Sequence, residues 1–265
     1  MNQCGLFNGK IHYEFYSKEG VRDLVVFVHP LGMNRDVWQK SVDALEDQYA
    51  VLVIDLPGHG KSSTVNNNET WSISSLAQMI QELIVTLGYD KMHYVGTSIG
   101  GAIGQELLLS SPALLQSAMV TNTSHQIGTV ASWAERAQNV RQQGLESMAA
   151  GIVPRWFGSH YLSENMADVA QWQQNLEKTD DEGYAVLCEA LGGWSATDRL
   201  SGRNMSIPAL AVAGSEDPAM PLENMQQLAS LMQVPLEVLP IGHVPSVEDP
   251  EGFNQLLLQW LGDNQ

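Results

Sequence analysis

Apolar runs of strand length alternate along the chain with longer stretches of helical periodicity. In residues 11–15 the apolar side chains Ile11, Tyr13 and Phe15 alternate with polar ones, which predicts a half-buried outer strand. Six nearly continuous apolar runs predict strands covered on both faces, as in parallel sheets: residues 24–28, 51–54, 92–95, 118–121, 207–213 and 236–239. Residues 76–87 and 253–261 repeat apolar side chains at the spacing of one helical face. The alternation predicts an α/β fold with helices flanking a mostly parallel central sheet.

One long segment interrupts this alternation. Residues 122–204 show helical patterns rich in Gln, Met and Trp, but no strand-like run. We therefore predict a helical cap inserted between two strands of the sheet, with a core that comprises residues 1–121 and 205–265. A length of 265 residues fits one domain with such an insertion.

The charge balance narrows the classes of partner that the chain is expected to bind. The chain has 30 Asp and Glu against 13 Lys and Arg, a net charge of −17. This argues against nucleic acid and anionic membrane surfaces as partners, because both require clustered cations. The sequence has two cysteines, no apolar run of transmembrane length, and no signal-peptide pattern at its start. We expect a cytoplasmic protein, with the oligomeric state left open between a monomer and a homodimer.

A nucleophile motif occupies residues 96–100, Gly-Thr-Ser-Ile-Gly. It follows the predicted strand 92–95 and opens a helical run. Small residues on either side of a serine let the chain turn sharply between strand and helix, so that the serine sits in strained backbone geometry with its hydroxyl exposed. Ser98 is therefore the candidate nucleophile.

A serine hydroxyl needs a base to take its proton and a carboxylate to orient that base. Where the nucleophile lies on such a turn, the chain order is serine, acid, histidine. Asp217, just after the predicted strand 207–213, is the candidate acid, with Glu216 and then Asp249 as rivals. His243, just after the strand 236–239, is the candidate base. All three follow the carboxyl ends of strands, where open α/β sheets place their sites.

The remaining histidines are interpreted as structural. His29 and His59 are expected to pack loops near the pocket. The other four, His12, His93, His125 and His160, are expected to be structural or surface residues. No group of His, Asp and Glu has metal-ligand spacing, so we expect neither a metal nor another cofactor. An acyl-transfer site also needs N–H donors for the developing oxyanion. The backbone of Ile99, directly after the nucleophile, and that of Leu31, after the strand 24–28, are the candidates.

With these motifs the chain resembles the α/β-hydrolase superfamily over essentially its whole length, and within it the 3-oxoadipate enol-lactonase and carboxylesterase group. The resemblance includes residues 29–32 (HPLG) with Trp38, and residues 55–62 (DLPGHGKS). In the predicted cap it is carried by Asn122-Thr123, Ile127-Gly128, Trp133, Arg136, Arg141, Gly144, Arg155-Trp156-Phe157, Gly183-Tyr184-Ala185 and Cys188. It implies that Ser98, Asp217 and His243 form the triad and that Leu31 and Ile99 form the oxyanion hole. Residues 192–195 (GGWS) depart from the more polar stretch expected there, which affects the substrate rather than the chemistry.

We therefore predict a serine hydrolase that cleaves small-molecule carboxylic esters or lactones through an acyl-enzyme on Ser98. A true 3-oxoadipate enol-lactonase, a serine-dependent C–C hydrolase and a cofactor-free haloperoxidase share the triad and remain alternatives. A non-catalytic ligand-binding receptor is a more remote alternative. The serine at position 98 excludes the branches that use an aspartate nucleophile.

Substrate choice depends on the cap. Trp133, Arg136, Trp156 and Trp194 are the candidate pocket residues, although tryptophans can equally pack the cap onto the sheet. A net charge of −17 disfavours the approach of an anionic lactone. Neutral esters are therefore favoured unless the cap arginines Arg136, Arg141 and Arg155 reach the pocket.

Overall fold

The structure, a computed structural model, describes residues 2–66 and 68–264. Within that part of the chain the strands are β1 (Gln3–Phe7), β2 (Ile11–Tyr16), β3 (Leu24–Val28), β4 (Ala50–Ile54), β5 (Met92–Thr97), β6 (Leu115–Thr121), β7 (Ala209–Gly214) and β8 (Leu236–Leu239). They form one sheet in the order β1-β2-β4-β3-β5-β6-β7-β8. The pairs β1–β2 and β2–β4 are antiparallel and the others parallel. The prediction of a mostly parallel sheet is confirmed.

Helices flank this sheet and fill the long connection between β6 and β7. They are α1 (Gln39–Leu45), α2 (Ile73–Thr86), α3 (Ile99–Ser110), α4 (Val130–Gln143), α5 (Leu145–Ile152), α6 (Ser159–Glu164), α7 (Met166–Glu177), α8 (Asp181–Gly192), α9 (Thr197–Leu200), α10 (Leu222–Met232), α11 (Pro245–Glu248) and α12 (Pro250–Gly262). Helix α3 packs on β5 and β6, and α10 on β7 and β8. Among the described residues no helix is long and apolar enough to cross a membrane.

Helices α4 to α9 lie between β6 and β7, and we call residues 122–208 the helical insertion. All of them are described, and they contain no strand. Because β6 and β7 are neighbours in the sheet, the insertion leaves and re-enters the sheet at adjacent strands. The exact division into a core and a cap at residues 122 and 204 stays a prediction.

The edges of the sheet differ from the sequence prediction. The run 236–239 was expected to be covered on both faces, but β8 is an edge strand whose Glu237 and Val238 are exposed. The opposite edge, β1, has a mixed composition without a clear period and was not predicted. Edge strands have a neighbour on one side only, so their apolar side chains need not be buried. The central strands β3 and β4 are buried along their whole length, as predicted.

A buried carboxylate ties together the loops that follow the central strands. Asp55, directly after β4, accepts hydrogen bonds from the backbone N–H groups of Arg35 (2.9 Å) and Lys61 (3.0 Å). It also accepts one from the guanidinium of Arg35 (2.8 Å) and contacts His12 Nδ1 (3.1 Å). Burial acts to raise the pKa of Asp55, but these partners hold it well below its usual range. The network fixes the loop after β3 beside the carboxyl ends of the strands.

Candidate active site

Ser98 lies at the junction of β5 and α3 in the strained backbone conformation that the sequence predicts, with φ 59° and ψ −115°. The residues two positions before and after it must be glycines for steric reasons. A Cβ on Gly96 would overlap the carbonyl of Gly100, and a Cβ on Gly100 would overlap the carbonyl of Val28. The N–H of Ser98 donates to the carbonyl of Thr121 at 3.0 Å, which fixes the turn against β6. The side chain consequently faces a cavity above the carboxyl ends of the strands.

Asp217 and His243 form a hydrogen-bonded pair at the same edge of the sheet. The distance from His243 Nδ1 to Asp217 Oδ2 is 2.7 Å, and both residues are buried. Asp217 Oδ1 accepts from the N–H groups of Ala219 (2.7 Å) and Met220 (2.9 Å). Burial acts to raise the pKa of Asp217, but the adjacent His243 and these donors hold it below its ordinary value. The carboxylate therefore stays ionised and orients the imidazole.

Sequence reasoning did not assign a role to Asn122, which completes this arrangement. Its Nδ2 donates to Asp217 Oδ2 at 2.8 Å and to the carbonyl of Gly242 at 3.0 Å. Asn122 has φ 47° and directly follows β6. An asparagine tolerates this left-handed conformation better than most residues. Its position at a strand end was the available signal for a site residue.

Neither of the other two candidate acids, Glu216 and Asp249, has a hydrogen bond to His243 among the described contacts. Glu216 is exposed, and Asp249 caps α12 by accepting the N–H of Gly252 at 3.0 Å. No cluster of three or more His, Cys, Asp and Glu side chains suited to a metal ion occurs in the described ranges.

Ser98 and His243 line one cavity of about 400 Å³, a size typical of small-molecule sites. The predicted pocket residues Trp133, Arg136 and Trp156 line it too, as does Leu31. The fourth, Trp194, is not among the lining residues. Its indole N–H donates to the Glu106 carboxylate at 3.0 Å, so it packs the insertion onto α3. Arg155, one of the cap arginines considered from the sequence, lines the cavity as well. The lining residues that sequence reasoning did not assign to the pocket include Tyr184, Met220 and Asn224.

Two guanidinium groups bring positive charge into this cavity. Arg136 Nη1 donates to the hydroxyl of Tyr184 at 3.4 Å, and Arg155 lines the same cavity. Burial raises the pKa of Tyr184, while the charges of Arg136 and Arg155 act in the opposite direction. Among the described residues no carboxylate forms an ion pair with either guanidinium. Arg141, by contrast, is on the surface, paired with Glu182 (2.7 Å) and Glu189 (2.5 Å).

Two buried histidines hold the loop that carries Leu31. His29 Nε2 accepts the N–H of Leu56 (2.9 Å), so its Nδ1–H donates to the carbonyl of Pro30 (2.8 Å). That carbonyl belongs to the same peptide unit as the N–H of Leu31, whose orientation is thereby fixed. His59 Nε2 likewise accepts the N–H of Gly32 (3.1 Å). Burial lowers the pKa of His29 and brings that of His59 to about 3, so both rings are neutral.

Known proteins resemble this chain in sequence and in fold. The model of a family described as alpha/beta hydrolase fold matches residues 23–250. The 3-oxoadipate enol-lactonase 2 of Acinetobacter baylyi is 33% identical over 234 residues, which cover 88% of this chain and 86% of that protein. The pimeloyl-[acyl-carrier protein] methyl ester esterase of Aeromonas hydrophila is 27% identical over 252 residues, 90% of this chain and 95% of that one. The crystal structure of an enol-lactonase from Burkholderia xenovorans gives a TM-score of 0.90 at 26% identity, covering 98% of this chain and 100% of the other.

Proposed function

Because this chain belongs to the α/β hydrolase fold family, we propose that it is a serine hydrolase that cleaves carboxylic esters or lactones bearing a free carboxylate. The observation that carries this proposal is the set of residues that line one cavity. This cavity is lined by a serine in nucleophile geometry, by a histidine that is hydrogen-bonded to a carboxylate, and by two arginines that form no ion pair among the described residues.

In the proposed reaction His243 takes the proton of Ser98 Oγ as this oxygen attacks the ester or lactone carbonyl. The backbone N–H groups of Leu31 and Ile99 stabilise the oxyanion. The tetrahedral intermediate collapses with cleavage of the C–O bond, and His243 gives its proton to the leaving oxygen. A water molecule, deprotonated by the same histidine, then attacks the acyl carbon and releases Ser98 with the carboxylic acid. Asp217 keeps the imidazole in the required tautomer and stabilises its protonated form throughout.

The substrate class follows from the charges in the cavity. The sequence favours neutral esters unless cap arginines reach the pocket, and Arg136 and Arg155 line it. A guanidinium binds a carboxylate through paired, charge-assisted hydrogen bonds, which fix the orientation of the ligand as well as its affinity. The substrate carboxylate would therefore lie against these two residues, with the scissile carbonyl beside Ser98. The relatives named for enol-lactone hydrolysis support a lactone of this kind.

The experiment is a panel of substrates that differ in charge and bond type. Wild type and Ser98→Ala are assayed with 3-oxoadipate enol-lactone, a monomethyl ester of a dicarboxylic acid and a neutral p-nitrophenyl ester. We expect wild type to turn over all three, with the highest kcat/KM for the carboxylate-bearing compounds, and Ser98→Ala to be inactive. Ser110→Ala, on the exposed end of the same helix α3, is the matched control and should keep full activity.

Three results would contradict the proposal. Turnover by Ser98→Ala would remove the serine from the mechanism. Activity of wild type on a vinylogous diketone or in peroxide-dependent halogenation, without ester or lactone hydrolysis, would replace the reaction class. Binding without turnover of any compound would instead indicate a receptor.

A further inference from the structure

A second buried carboxylate lies beside the candidate base and has no part in the mechanism above. Glu248, the last residue of α11, accepts hydrogen bonds from the backbone N–H of Gly242 at Oε2 (3.0 Å) and of Val244 at Oε1 (3.5 Å). These two residues flank His243 in the chain. One side chain therefore holds the backbone N–H groups of the residues before and after the base.

The same carboxylate also binds the helical insertion. Glu248 Oε2 accepts the N–H of Gly158 at 2.9 Å, directly beyond the turn Val153–Trp156. In the same region the N–H of His243 donates to the carbonyl of Trp156 at 3.0 Å. A Cβ on Gly242 would overlap the backbone N of Gly158, so the two segments touch through their backbones. Glu248 thus joins the loop of His243 to a part of the insertion that lines the cavity.

Keeping the Glu248 carboxylate buried close to Asp217 costs free energy, and this cost indicates that the carboxylate has a function in holding the two segments together. Burial raises the pKa of Glu248, and the negative charge of Asp217 acts in the same direction. The backbone donors from Gly158, Gly242 and Val244 act the other way and stabilise the ionised form. Glu216 adds a further carboxylate next to Gly158. A like charge beside the acid of the triad is unfavourable, and the three N–H bonds offset that cost only while the two segments keep their present geometry.

We propose that Glu248 is a positioning residue, which places His243 for catalysis by fixing its loop to the Trp156–Gly158 segment of the insertion. The inference rests on the proposed function, because it assigns the base to His243. Two other bonds restrain this loop among the described residues, one from the His243 N–H to the Trp156 carbonyl and one from Asn122 to the Gly242 carbonyl. Without Glu248 the imidazole would keep its partner Asp217, but the N–H groups of Gly242 and Val244 would lose the acceptor that holds the loop in place for catalysis.

The test compares kcat and KM in two variants. In Glu248→Ala we expect kcat for a neutral p-nitrophenyl ester to fall on the order of 10²-fold, the loss that a misplacement of about 1 Å causes. The KM for this ester should change much less than kcat, because Glu248 itself does not line the cavity. Glu248→Gln keeps one acceptor oxygen and should recover part of the lost kcat. Folding of each variant is checked by circular dichroism and urea unfolding.

Glu251→Ala is the matched control, since Glu251 is an exposed carboxylate in the first turn of the next helix, α12, and its removal should leave kcat unchanged. An unchanged kcat in folded Glu248→Ala would overturn the inference, as would a loss that merely follows the loss of folded protein or that Glu248→Gln does not relieve. If neither variant folds, the carboxylate serves the fold and the inference is equally wrong. Failure of wild type to hydrolyse any ester would instead refute the proposed function, so the two failures are distinguishable.

Discussion

Replacing Arg136 by methionine tests whether the cavity selects a carboxylate. Methionine retains much of the apolar stem of arginine and removes the charge. A substrate carboxylate about 4 Å from the guanidinium would gain about 4 kcal/mol at the effective dielectric constant of about 20 that suits a protein surface. Arg136 is only half-buried, so solvent screening reduces this. A net contribution of about 1.5–3 kcal/mol, the range for hydrogen bonds to charged groups, remains.

This energy corresponds to a loss of about 10- to 150-fold in kcat/KM for the monomethyl ester of a dicarboxylic acid. The assay compares that ester with its neutral dimethyl counterpart, on which Arg136→Met should have little effect. Arg136→Lys, which keeps the charge without the planar fork, should lie between the two. Arg141→Met is the matched control from the same helix α4, since that side chain is paired with Glu182 and Glu189 on the surface. An equal loss for the charged and the neutral ester would refute the reasoning, because it would show a role in packing.

Two further predictions concern stability. Gly100→Ala should lower the free energy of unfolding by about 1–3 kcal/mol, because its Cβ would overlap the carbonyl of Val28. Gly151→Ala, the control, has open space at the Cβ and should not destabilise the protein. Equal effects of the two changes in urea unfolding would contradict this account of the turn. Asp55→Asn should cost about 3 kcal/mol, because it leaves Arg35 without its most buried partner. The folded pKa of Asp55 is lowered, so its stabilisation is complete above the unfolded value of about 3.9 and is lost as the pH falls through the folded one. Acid unfolding of Asp55→Asn should therefore depend less steeply on pH than that of wild type, and an identical profile would contradict it.

The position of Ser98 could be predicted because its cause is local. Gly96 and Gly100 are required by contacts within a few residues of the turn or with the neighbouring strand, and a strand before it and a helix after it are visible in the pattern. Asp217 and His243 lie where chain order and strand ends place them. The preference for Asp217 over the adjacent Glu216 depends on which side chain turns toward His243, and the hydrogen bond between Asp217 and the imidazole supports Asp217.

Features that depend on distant parts of the chain could not be predicted. Trp194 has the composition of a pocket residue, but its indole is turned away by Glu106 on α3, which is 88 positions earlier. Glu248 follows His243 by five residues in an unremarkable segment, and its significance comes from Gly158, which is 90 positions away. The run 236–239 has the apolar content of a central strand, yet its place at the edge of the sheet is set by topology. Periodicity reports which face of an element is apolar, but not which partner covers that face.

The two cavity arginines also alter the effect that the net charge of the protein is expected to have on binding an anionic substrate. A net charge of −17 repels an anionic ligand at long range, and salt screens such repulsion beyond about 8 Å at physiological ionic strength. Within the cavity the relevant charges are those of Arg136, which is half-buried, and Arg155, which is exposed, and both act on a bound ligand over a few ångströms, well inside that screening length. An acidic protein can therefore bind an acid, provided that its own carboxylates are kept away from the binding cations. Arg141 has lost that capacity through its two glutamate partners, whereas the cavity arginines retain it. Pairing, rather than the number of arginines in the insertion, thus decides which of them can recognise a substrate.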